Sequence, residues 1–582
     1  MYKCLVSVLI LVCSVINIQG QGASVTIGGR VVDEVTGECV SYAVVRTREG
    51  QCGTIANEYG FFQLNITNGS TRVIIQSIGY INLEIVAAES KDYGDIKLRQ
   101  RTMELNEVNI RPKDSSFLFD LIESCRTGLR SESKTTKACF ELKSYSSGKQ
   151  IELIEAYYNA TQKQCRITDL VIKTGRLALQ PHDQRYFLSL DGSHAITSMK
   201  VFEHNNAFPA TPLEFSSRKS RDLFYLHQED MYIDENKDTV IVIEFNPRDT
   251  SVSLFSGHIH INTRKKLVLK SEMNCSQCKT HPFIPIFPDD EAASVDMHLK
   301  RIFNADQSTK QINFHYRVNY ISRPDFQSTE RTSFYVDTYA LMHFYDDNHM
   351  FFEPMFQYPD NLDDYRMLNA LPYNDFFWKT HTDLQMDVNR KTNDQFFFDQ
   401  NSITNLEVFN NNEEVGRKLL KYPFVPWSES RIRISDAVSD LTERAPGPST
   451  ISEMYHLEAQ LFFDATRIGD SLDICTRAIL DPYKSYYHLS QDTLTMAFIN
   501  IYFDLCEMHR REMHDELLAS SGNDEALLQI YHRFTARHEH EMQEYLKRVD
   551  RGTNKTQLKY YNDFVMEKLG INNFHCFGIN AE

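Results

Sequence analysis

Short runs of β-branched residues, separated by glycine-containing turns, fill the first hundred residues of the chain. The runs are 26–33, 42–46, 53–55, 61–64 and 72–80. Turns of the Thr-Gly, Glu-Gly and Tyr-Gly type stand between them at near-regular spacing, which is typical of an all-β sandwich. Gly53, Gly60 and Gly79 are expected to hold turns, because glycine adopts positive φ without steric cost. The sequence therefore predicts a β-sandwich over residues 24–112.

Several motifs follow one another in this stretch. They are a Gly-x-Val-x-Asp opening at 29–33, Thr36-Gly37-Glu38, the pair Gly53-Thr54, the turn at 57–61, the run Ser77-Ile78-Gly79-Tyr80, and an exit segment at 103–110. Their order resembles the carboxypeptidase-regulatory-like domain, a transthyretin-like sandwich that occurs in envelope proteins of Bacteroidota. The resemblance implies a non-catalytic accessory module connected with attachment or export, without peptidase activity. Cys39 stands where most members carry proline, and Cys52 is additional.

The first 21 residues predict a secretory signal peptide, with Lys3 before an apolar run at 5–18. No later stretch reaches the roughly 20 apolar residues that a membrane helix needs. The net charge of −17 argues against nucleic acid and against an anionic membrane surface as partners. We therefore expect an exported protein, periplasmic or peripherally associated with the outer membrane.

The remaining sequence predicts a multidomain α+β protein. An amphipathic helix is expected at 115–128, within a linker at 113–136. Alternation of period two then predicts an antiparallel β-rich domain at 137–344, forming a curved sheet or half-barrel. Its motifs at 243–247 and 255–261 are similar to other regulatory-domain proteins, and loosely to the lipoprotein-carrier half-barrel. Residues 345–449, broken by prolines, predict an irregular aromatic-rich connection.

Residues 450–582 predict an α-helical domain. Ser490 or Asp492 is expected to cap a helix that runs to Ser521, with Gly522 as its stop. Asp524 is expected to start the next helix, and the short connection predicts an antiparallel hairpin. A further helix at 556–569 should end at Gly570.

Cys275 and Cys278, with His281 nearby, form the sharpest local cluster. A zinc site would need a second Cys/His pair nearby, and none appears at the usual spacing. Haem attachment fails because Lys279 stands where histidine is required. A loop disulfide or two free thiols are the favoured alternatives in an exported protein. Cys39 and Cys52 form a second candidate disulfide, which would close one edge of the sandwich.

Histidine pairs supply the remaining metal candidates. His258 and His260 lie on one face of a predicted strand, without a third ligand close in sequence. His509 with Glu512, and His538 with Glu541, are His-x-x-Glu pairs on helices. In an antiparallel hairpin His509 and His538 can approach, with either glutamate in reach, although charged helix faces are more often solvated.

These observations favour a non-catalytic envelope protein that binds or scaffolds a protein or glycan partner, without a cofactor. The sequence has no Gly-x-Ser-x-Gly elbow, phosphate-binding loop or dinucleotide fingerprint. Two alternatives remain open. One is a metal-dependent hydrolase that uses the helical histidines; the other is an accessory component of the outer-membrane uptake machinery.

Overall fold

A computed structural model describes most of the chain between residues 24 and 580. Left out of the description are residues 51, 67–70, 102–115, 128–131, 164, 183–185, 188–191, 284, 286–289, 323–330, 346–347, 358–363, 382–383, 386, 407–423, 433–454, 470, 483, 488–491 and 521. The predicted signal peptide, the exit segment at 103–110 and the candidate cap Ser490 therefore lie outside the described residues.

The N-terminal part is a β-sandwich, as the sequence predicts. Its strands are β1 (Val25–Asp33), β2 (Val44–Thr47), β3 (Gly53–Ile55), β4 (Phe61–Ile66), β5 (Thr71–Gln76), β6 (Leu83–Ala87) and β7 (Lys91–Leu98). One sheet has the order β4-β1-β7 and the other contains β3-β2-β5-β6. Alternate side chains, among them Ile27, Leu64, Val45 and Ile75, are buried between the sheets. Burial at every second position is what a strand with one covered face requires.

Two of the three predicted turn glycines have positive φ. Gly60 has φ 82° and Gly79 has φ 91°, both in the left-handed region that favours glycine. The prediction for Gly53 is wrong, because Gly53 is the first residue of β3 and pairs with Arg46 of β2. It lies inside the sheet, and not in the turn before it.

The central part is one large antiparallel sheet. Its strands are β8 (Ser133–Ser146), β9 (Lys149–Lys163), β10 (Arg166–Leu179), β11 (Phe224–Ile233), β12 (Thr239–Pro247), β13 (Ser256–Asn262), β14 (Leu267–Cys278), β15 (Glu291–Phe303), β16 (Thr309–Ser322) and β17 (Thr332–Tyr345). They have the order β11-β12-β13-β14-β15-β16-β17-β8-β9-β10. The predicted meander is confirmed, and so is the helix before it, α1 (Ser116–Thr127).

The two faces of this sheet differ in character. One face carries apolar side chains such as Leu299, Phe314 and Met342, which pack with α1 and with segments around α2 (Gly192–Ser198) and α3 (Ser217–Leu223). The opposite face carries polar side chains at the intervening positions, such as Lys300 and Asn313. We call this the polar face of the sheet. The sandwich lies against it, where Ile55 packs with residues of β8 and β17.

The aromatic-rich stretch after β17 forms short elements that join sheets built by other parts of the chain. They are α4 (Asp364–Asn369), α5 (Asp375–Thr380), β18 (Leu384–Gln385), α6 (Asp387–Phe397), β19 (Ile403–Thr404) and β20 (Val425–Pro426). β18 adds a parallel strand beside β3 of the sandwich, and β19 extends the central sheet beside β10. Phe351, Phe377 and Trp378 pack around the ring of Tyr157 on the polar face.

The C-terminal part begins with strands, which corrects the expectation of helices directly after residue 450. The strands are β21 (Tyr455–His456), β22 (Ala459–Ile468), β23 (Ser471–Leu480) and β24 (Tyr486–Tyr487). β22 and β23 pair as a hairpin, and β20 pairs with β23. Gly469 has φ 57° between β22 and β23, so this glycine marks the tight hairpin connection that sequence reasoning missed.

Helices follow, as predicted. They are α7 (Thr493–Ala519), α8 (Asp524–Val549), α9 (Lys555–Leu569) and α10 (Asn573–Cys576). Asp492 caps α7, because its side chain accepts a hydrogen bond from the Thr495 amide at 2.8 Å. Asp524 is the first residue of α8, and Gly570 ends α9 with φ 76°.

The prediction for Gly522 is wrong, because α7 already ends at Ala519 and its C-cap Ser520 is extended. A Cβ at Gly522 would lie 2.5 Å from the Cβ of Ala526. The glycine therefore permits a close approach to the first turn of α8, and does not close α7.

Candidate functional site

The hairpin of α7 and α8 brings the candidate histidines together. Nδ1 of His509 lies 3.0 Å from Nδ1 of His538, and Nε2 of His509 lies 2.8 Å from a carboxylate oxygen of Glu541. Nε2 of His538 lies 2.9 Å from the carbonyl oxygen of Ala459 in β22. Glu512 points elsewhere and accepts a hydrogen bond from Arg537 at 2.7 Å.

This arrangement is a chain of hydrogen bonds that leaves no ring nitrogen of the two histidines unengaged. A metal ligand needs an unprotonated nitrogen, whereas Nε2 of His538 must donate to a carbonyl that can only accept. Burial lowers the pKa of His538 to about 4, and burial also lowers the pKa of His509 while Glu541 opposes that shift. Within the described residues, no group of three or more His, Cys, Asp or Glu side chains is arranged to hold a metal ion.

The other sequence candidates are dispersed. Cys275 and Cys278 form a disulfide, while Cys39 and Cys52 are both free thiols. His258 Nε2 lies 3.1 Å from Glu229, so this ring is paired with a carboxylate. The neighbouring His260 lies 3.2 Å from the Tyr232 hydroxyl instead, and burial lowers its pKa to about 3.

A concave site occurs where the sandwich lies against the polar face of the central sheet. Two cavities adjoin here, of about 240 Å³ and about 370 Å³. Residues lining both are Tyr42, Ser77, Ile78, Tyr80 and Lys300. We call the two cavities together the sandwich–sheet cleft, and distinguish them as its smaller and larger cavity. Ligand sites occur preferentially at such junctions between packed parts of a chain.

The sandwich supplies one wall of the cleft from its turns. The Ser77–Tyr80 turn, held by the Tyr80 amide donating to the Ser77 carbonyl at 3.1 Å, carries Gly79 at positive φ. Tyr42 also has positive φ, 59°, which is costly for a side chain with a Cβ. Such strained residues cluster at ligand sites. The carbonyl of Tyr42 accepts a hydrogen bond from Gln311 of the opposite wall at 3.4 Å.

The polar face of the sheet supplies the other wall, with lysines among its side chains. Lys300 lines both cavities, Lys310 lines the smaller one, and Lys270 lines the larger one. Burial lowers the pKa of Lys300 to about 8, and the nearby Lys270 contributes to this shift. Burial likewise lowers the pKa of Lys310. Buried ammonium groups are unfavourable unless an anion compensates them.

Two amide side chains of β16 also face the cleft with unused hydrogen-bonding atoms. Gln311 and Asn313 are only 1% and 6% exposed. Oε1 of Gln311 and Nδ2 of Asn313 are buried and have no hydrogen-bond partner among the described residues. Buried polar atoms are almost always hydrogen-bonded, so an unused acceptor and an unused donor beside a cavity indicate a place for a ligand or water.

Sequence reasoning missed the residues of this cleft. The alternation along β15 and β16 places Lys300 and Asn313 on the outward-facing side of the strands, which is typical of a solvated face. Burial of that face depends on the sandwich, whose Tyr42 and Tyr80 are far away in sequence. The only local signal is a pair of amide residues, Gln311 and Asn313, at alternate positions of one strand.

Comparison with known proteins bears on the sandwich. Residues 27–110 match the CarboxypepD_reg-like domain. The resemblance noted from the motifs is thus confirmed for this domain, which includes the Ser77–Tyr80 turn of the cleft. None of the curated proteins matches the chain. No helix in the described ranges is long and apolar enough to cross a membrane.

Three of the solved structures similar to the chain each cover 39% of it. A LolA superfamily protein from Nitrosomonas europaea has 9% identity, a TM-score of 0.16 and 90% of its own chain covered. A putative outer membrane lipoprotein-sorting protein domain from Vibrio parahaemolyticus has 11% identity, a TM-score of 0.16 and 90% covered. The complex of MucA and MucB from Pseudomonas aeruginosa has 9% identity, a TM-score of 0.15 and 92% of its own chain covered. TM-scores this low support no conclusion about fold or function.

Proposed function

We propose that this protein is a non-catalytic binding protein of the cell envelope, and that it holds a glycan fragment in the sandwich–sheet cleft. The observation that carries the proposal is the pair of adjoining cavities with unused polar atoms on their wall. The predicted signal peptide supports an exported location, periplasmic or peripheral to the outer membrane. The regulatory-like domain supports an accessory, non-catalytic role.

The chemistry of the cleft favours binding over catalysis. Tyrosine, amide and lysine side chains lie on its described wall, beside four carboxylates and two histidines. Tyrosine, amide and lysine side chains bind sugars through ring faces and hydrogen bonds. Cys39 lies at the rim of the cleft. Its thiol contacts the Ser41 hydroxyl and the Glu58 carbonyl oxygen, and neither of these groups is a histidine. A nucleophile activated by an adjacent base, the usual sign of covalent catalysis, is thus not assembled around that thiol.

Filling the cleft tests the proposal. The chain without its predicted signal peptide is incubated with oligosaccharides released from envelope polysaccharide, and native mass spectrometry detects bound species. We expect binding of unmodified fragments to wild type and loss of binding in Ser77→Trp, because the indole fills the space where the two cavities meet. The matched control is Ala88→Trp, since Ala88 is exposed and follows β6 directly. Equal binding by wild type and Ser77→Trp, or hydrolysis of the fragments, would contradict the proposal.

The hydrolase alternative has its own test. A metal-dependent hydrolase would contain stoichiometric zinc that is lost in His509→Ala or His538→Ala. Elemental analysis of the purified protein measures this directly. We expect no zinc at these positions, because the two histidines and Glu541 already satisfy one another and Ala459. Stoichiometric zinc that depends on either histidine would favour the hydrolase. The other alternative, an accessory component of the outer-membrane uptake machinery, is compatible with glycan binding in the cleft.

A further inference from the structure

Three lysines line the sandwich–sheet cleft, Lys270, Lys300 and Lys310, together with the carboxylates of Glu58, Asp234, Glu235 and Glu272. Glu272 lies 2.7 Å from Lys270 but 3.9 Å from Lys300, so a single carboxylate lies beside two ammonium groups. Burial alone would raise the pKa of Glu272, but the two lysines outweigh it and hold that pKa at about 2, which keeps the carboxylate ionised. Lys300, on the wall that both cavities share, therefore has only a distant ion pair with this carboxylate, at 3.9 Å.

Lys310 adds a second uncompensated charge. Among the described residues its ammonium group has no hydrogen bond and no ion pair, and it lies near the like charge of Arg46. Glu235, the carboxylate whose charge acts on Lys310, is already paired with Arg101 at 2.9 Å. The smaller cavity is thus lined by two ammonium groups, Lys300 and Lys310, that have no carboxylate within hydrogen-bond distance among the described residues. Arg101, Glu235 and Asp234 also line this cavity, where Glu235 pairs with Arg101 and Asp234 accepts a hydrogen bond from Asn262.

The amide groups beside these lysines are held in a fixed orientation. Nε2 of Gln311 donates to Oδ1 of Asn313 at 2.9 Å, and this bond fixes both side chains. The atoms left over are an acceptor, Oε1 of Gln311, and a donor, Nδ2 of Asn313. A hydroxyl group can both donate and accept, so neighbouring hydroxyls of a sugar can satisfy the two atoms. An apolar ligand would leave both unsatisfied, which is unfavourable for buried polar groups.

We propose that the cleft binds an acidic saccharide, whose carboxylate occupies the smaller cavity beside Lys300 and Lys310 and whose hydroxyls bond Gln311 and Asn313. This inference rests on the proposed glycan-binding function and names the class of its ligand. A neutral sugar satisfies the amides but leaves the two ammonium groups without an anion. A simple anion such as phosphate compensates the charges but leaves the larger cavity, lined by Tyr42, Tyr80 and Tyr339, unfilled.

Two ligands that differ only in the carboxylate provide the test. Isothermal titration calorimetry compares methyl glucuronide with methyl glucoside, on the full chain without its predicted signal peptide. We expect the acid to bind at least about tenfold more tightly, which corresponds to one charge-assisted hydrogen bond. Lys300→Met and Lys310→Met should each weaken binding of the acid about tenfold and weaken binding of the neutral sugar by less, because only the acid loses a charge-assisted bond. Lys149→Met is the matched control, because Lys149 is exposed at the start of β9, away from the cleft.

Gln311→Glu gives a second variant that does not depend on removing a lysine. It places a carboxylate of the chain itself beside Lys300 and Lys310. We expect a higher melting temperature without ligand, because the buried charges become paired, together with loss of acid binding. This variant decides the outcome if a lysine variant does not fold.

The failures of the two proposals are distinguishable. Equal affinity for the acidic and the neutral sugar, both lost in Ser77→Trp, would overturn the acidic ligand and leave glycan binding intact. Absence of any saccharide binding would overturn both. Tighter binding of inorganic phosphate or of N-acetylglutamate amide than of methyl glucuronide would also overturn the saccharide class, because these probes carry the charge without the ring of hydroxyls.

Discussion

The hydrogen bonds around His538 constrain its protonation. Its Nε2 faces the Ala459 carbonyl, which can only accept, so this nitrogen carries a proton. In the neutral ring Nδ1 is then an acceptor, and Nδ1 of His509 supplies the donor across the hairpin at 3.0 Å. Because Nε2 of His509 faces the Glu541 carboxylate at 2.8 Å, His509 makes both bonds only when both of its ring nitrogens carry a proton. A second proton on His538 would remove that acceptor in a buried place. The low pKa, about 4, follows mainly from this burial.

The pH dependence of stability follows from this pKa. An unfolded histidine titrates near pH 6.5, whereas folded His538 stays neutral down to about pH 4. As pH falls between these values, the unfolded state binds a proton that the folded state does not. The free energy of unfolding therefore decreases, by up to about 3 kcal/mol from this residue. We expect denaturant midpoints, followed by circular dichroism, to be lower near pH 4.5 than near pH 7, and His538→Gln to show a smaller difference.

His540→Gln is the control, because His540 lies on the same helix, α8, and is exposed. It should keep the full pH dependence of the wild type. An unchanged pH dependence in His538→Gln would mean that other buried histidines, such as His260 and His343, are responsible; burial lowers both of their pKa values to about 3.

The approach of His509 to His538 was predictable from the sequence, whereas their contact with β22 was not. Apolar spacing and a short connection are enough to place His509 opposite His538, because two helices joined in that way pack antiparallel. The partner Ala459 was not predictable, since it belongs to β22, in a stretch assigned to helices. Without that carbonyl the two histidines resemble half of a metal site.

Two turn glycines of the sandwich, Gly37 and Gly60, both have positive φ but differ in the space that a Cβ would find. Gly37 has φ 71°, and a Cβ placed on it would have nothing within 4 Å, so it requires glycine for its backbone alone. Gly60 has φ 82°, and a Cβ there would lie 2.5 Å from the carbonyl oxygen of Val31. The same carbonyl accepts a hydrogen bond from the Val40 amide, so the backbone around it is fixed.

Alanine at these two glycines should therefore have different costs. Gly37→Ala is expected to destabilise the sandwich by about 1 kcal/mol, the usual cost of positive φ for a residue with a Cβ. Gly60→Ala should cost more, because β1 must shift away from the turn as well. Differential scanning calorimetry of the full chain measures both. Equal shifts in melting temperature for the two variants would show that the contact with Val31 adds nothing.

At the level of elements, the strands and helices with strong periodicity were predictable and the connections were not. The meander of β12 and β13 and the helices α7 to α9 follow from period two and from helical spacing. β22 and β23 were missed because a ten-residue apolar strand is similar in length to a short buried helix. The glycine at 469 was the available signal for a hairpin.

A buried ion pair connects the central sheet to the C-terminal part. The ammonium group of Lys173 in β10 lies 2.5 Å from a carboxylate oxygen of Asp464 in β22 and donates to the Ala465 carbonyl at 2.8 Å. Both side chains are almost inaccessible, at 2% and 7%. Burial raises the pKa of Asp464, while Lys173 and Asn374 oppose this shift. The pair therefore fixes the alignment of β10 with β22, because each buried charge is compensated by the other.

Removing one partner of this pair should cost more than removing both. Lys173→Met leaves the Asp464 carboxylate buried and unpaired, with an expected loss of about 3–5 kcal/mol in the free energy of unfolding. Lys173→Met with Asp464→Leu should recover most of that loss, because neither charge remains. Denaturant unfolding measures the cycle. Lys379→Met is the control, since Lys379 and Asp375 form an exposed pair, expected to contribute less than about 1 kcal/mol. Additive effects of the two substitutions would show that the charges do not interact.

The whole-molecule arrangement was the least predictable from the sequence. The order of a sandwich, a β-rich sheet and helices follows from local patterns, and it is confirmed. The cleft depends on the contact of Tyr42 and Tyr80 with Lys300 and Gln311, and no local pattern specifies contacts between residues so far apart. Polar residues at these positions are equally suited to a surface in water and to a ligand site.

The pairing of β18 with β3 has a consequence for the order of events during folding. Leu384 pairs with Gly53, so the outer strand of an N-terminal sheet comes from the second half of the chain. Until residues 384–385 reach the compartment in which the chain folds, the edge of β3 has exposed peptide groups without this partner. Closure of the sandwich is therefore a late step, which requires a segment that follows the whole central sheet in the chain. A chain truncated before residue 384 should bind chaperones at this open edge longer than one that includes it.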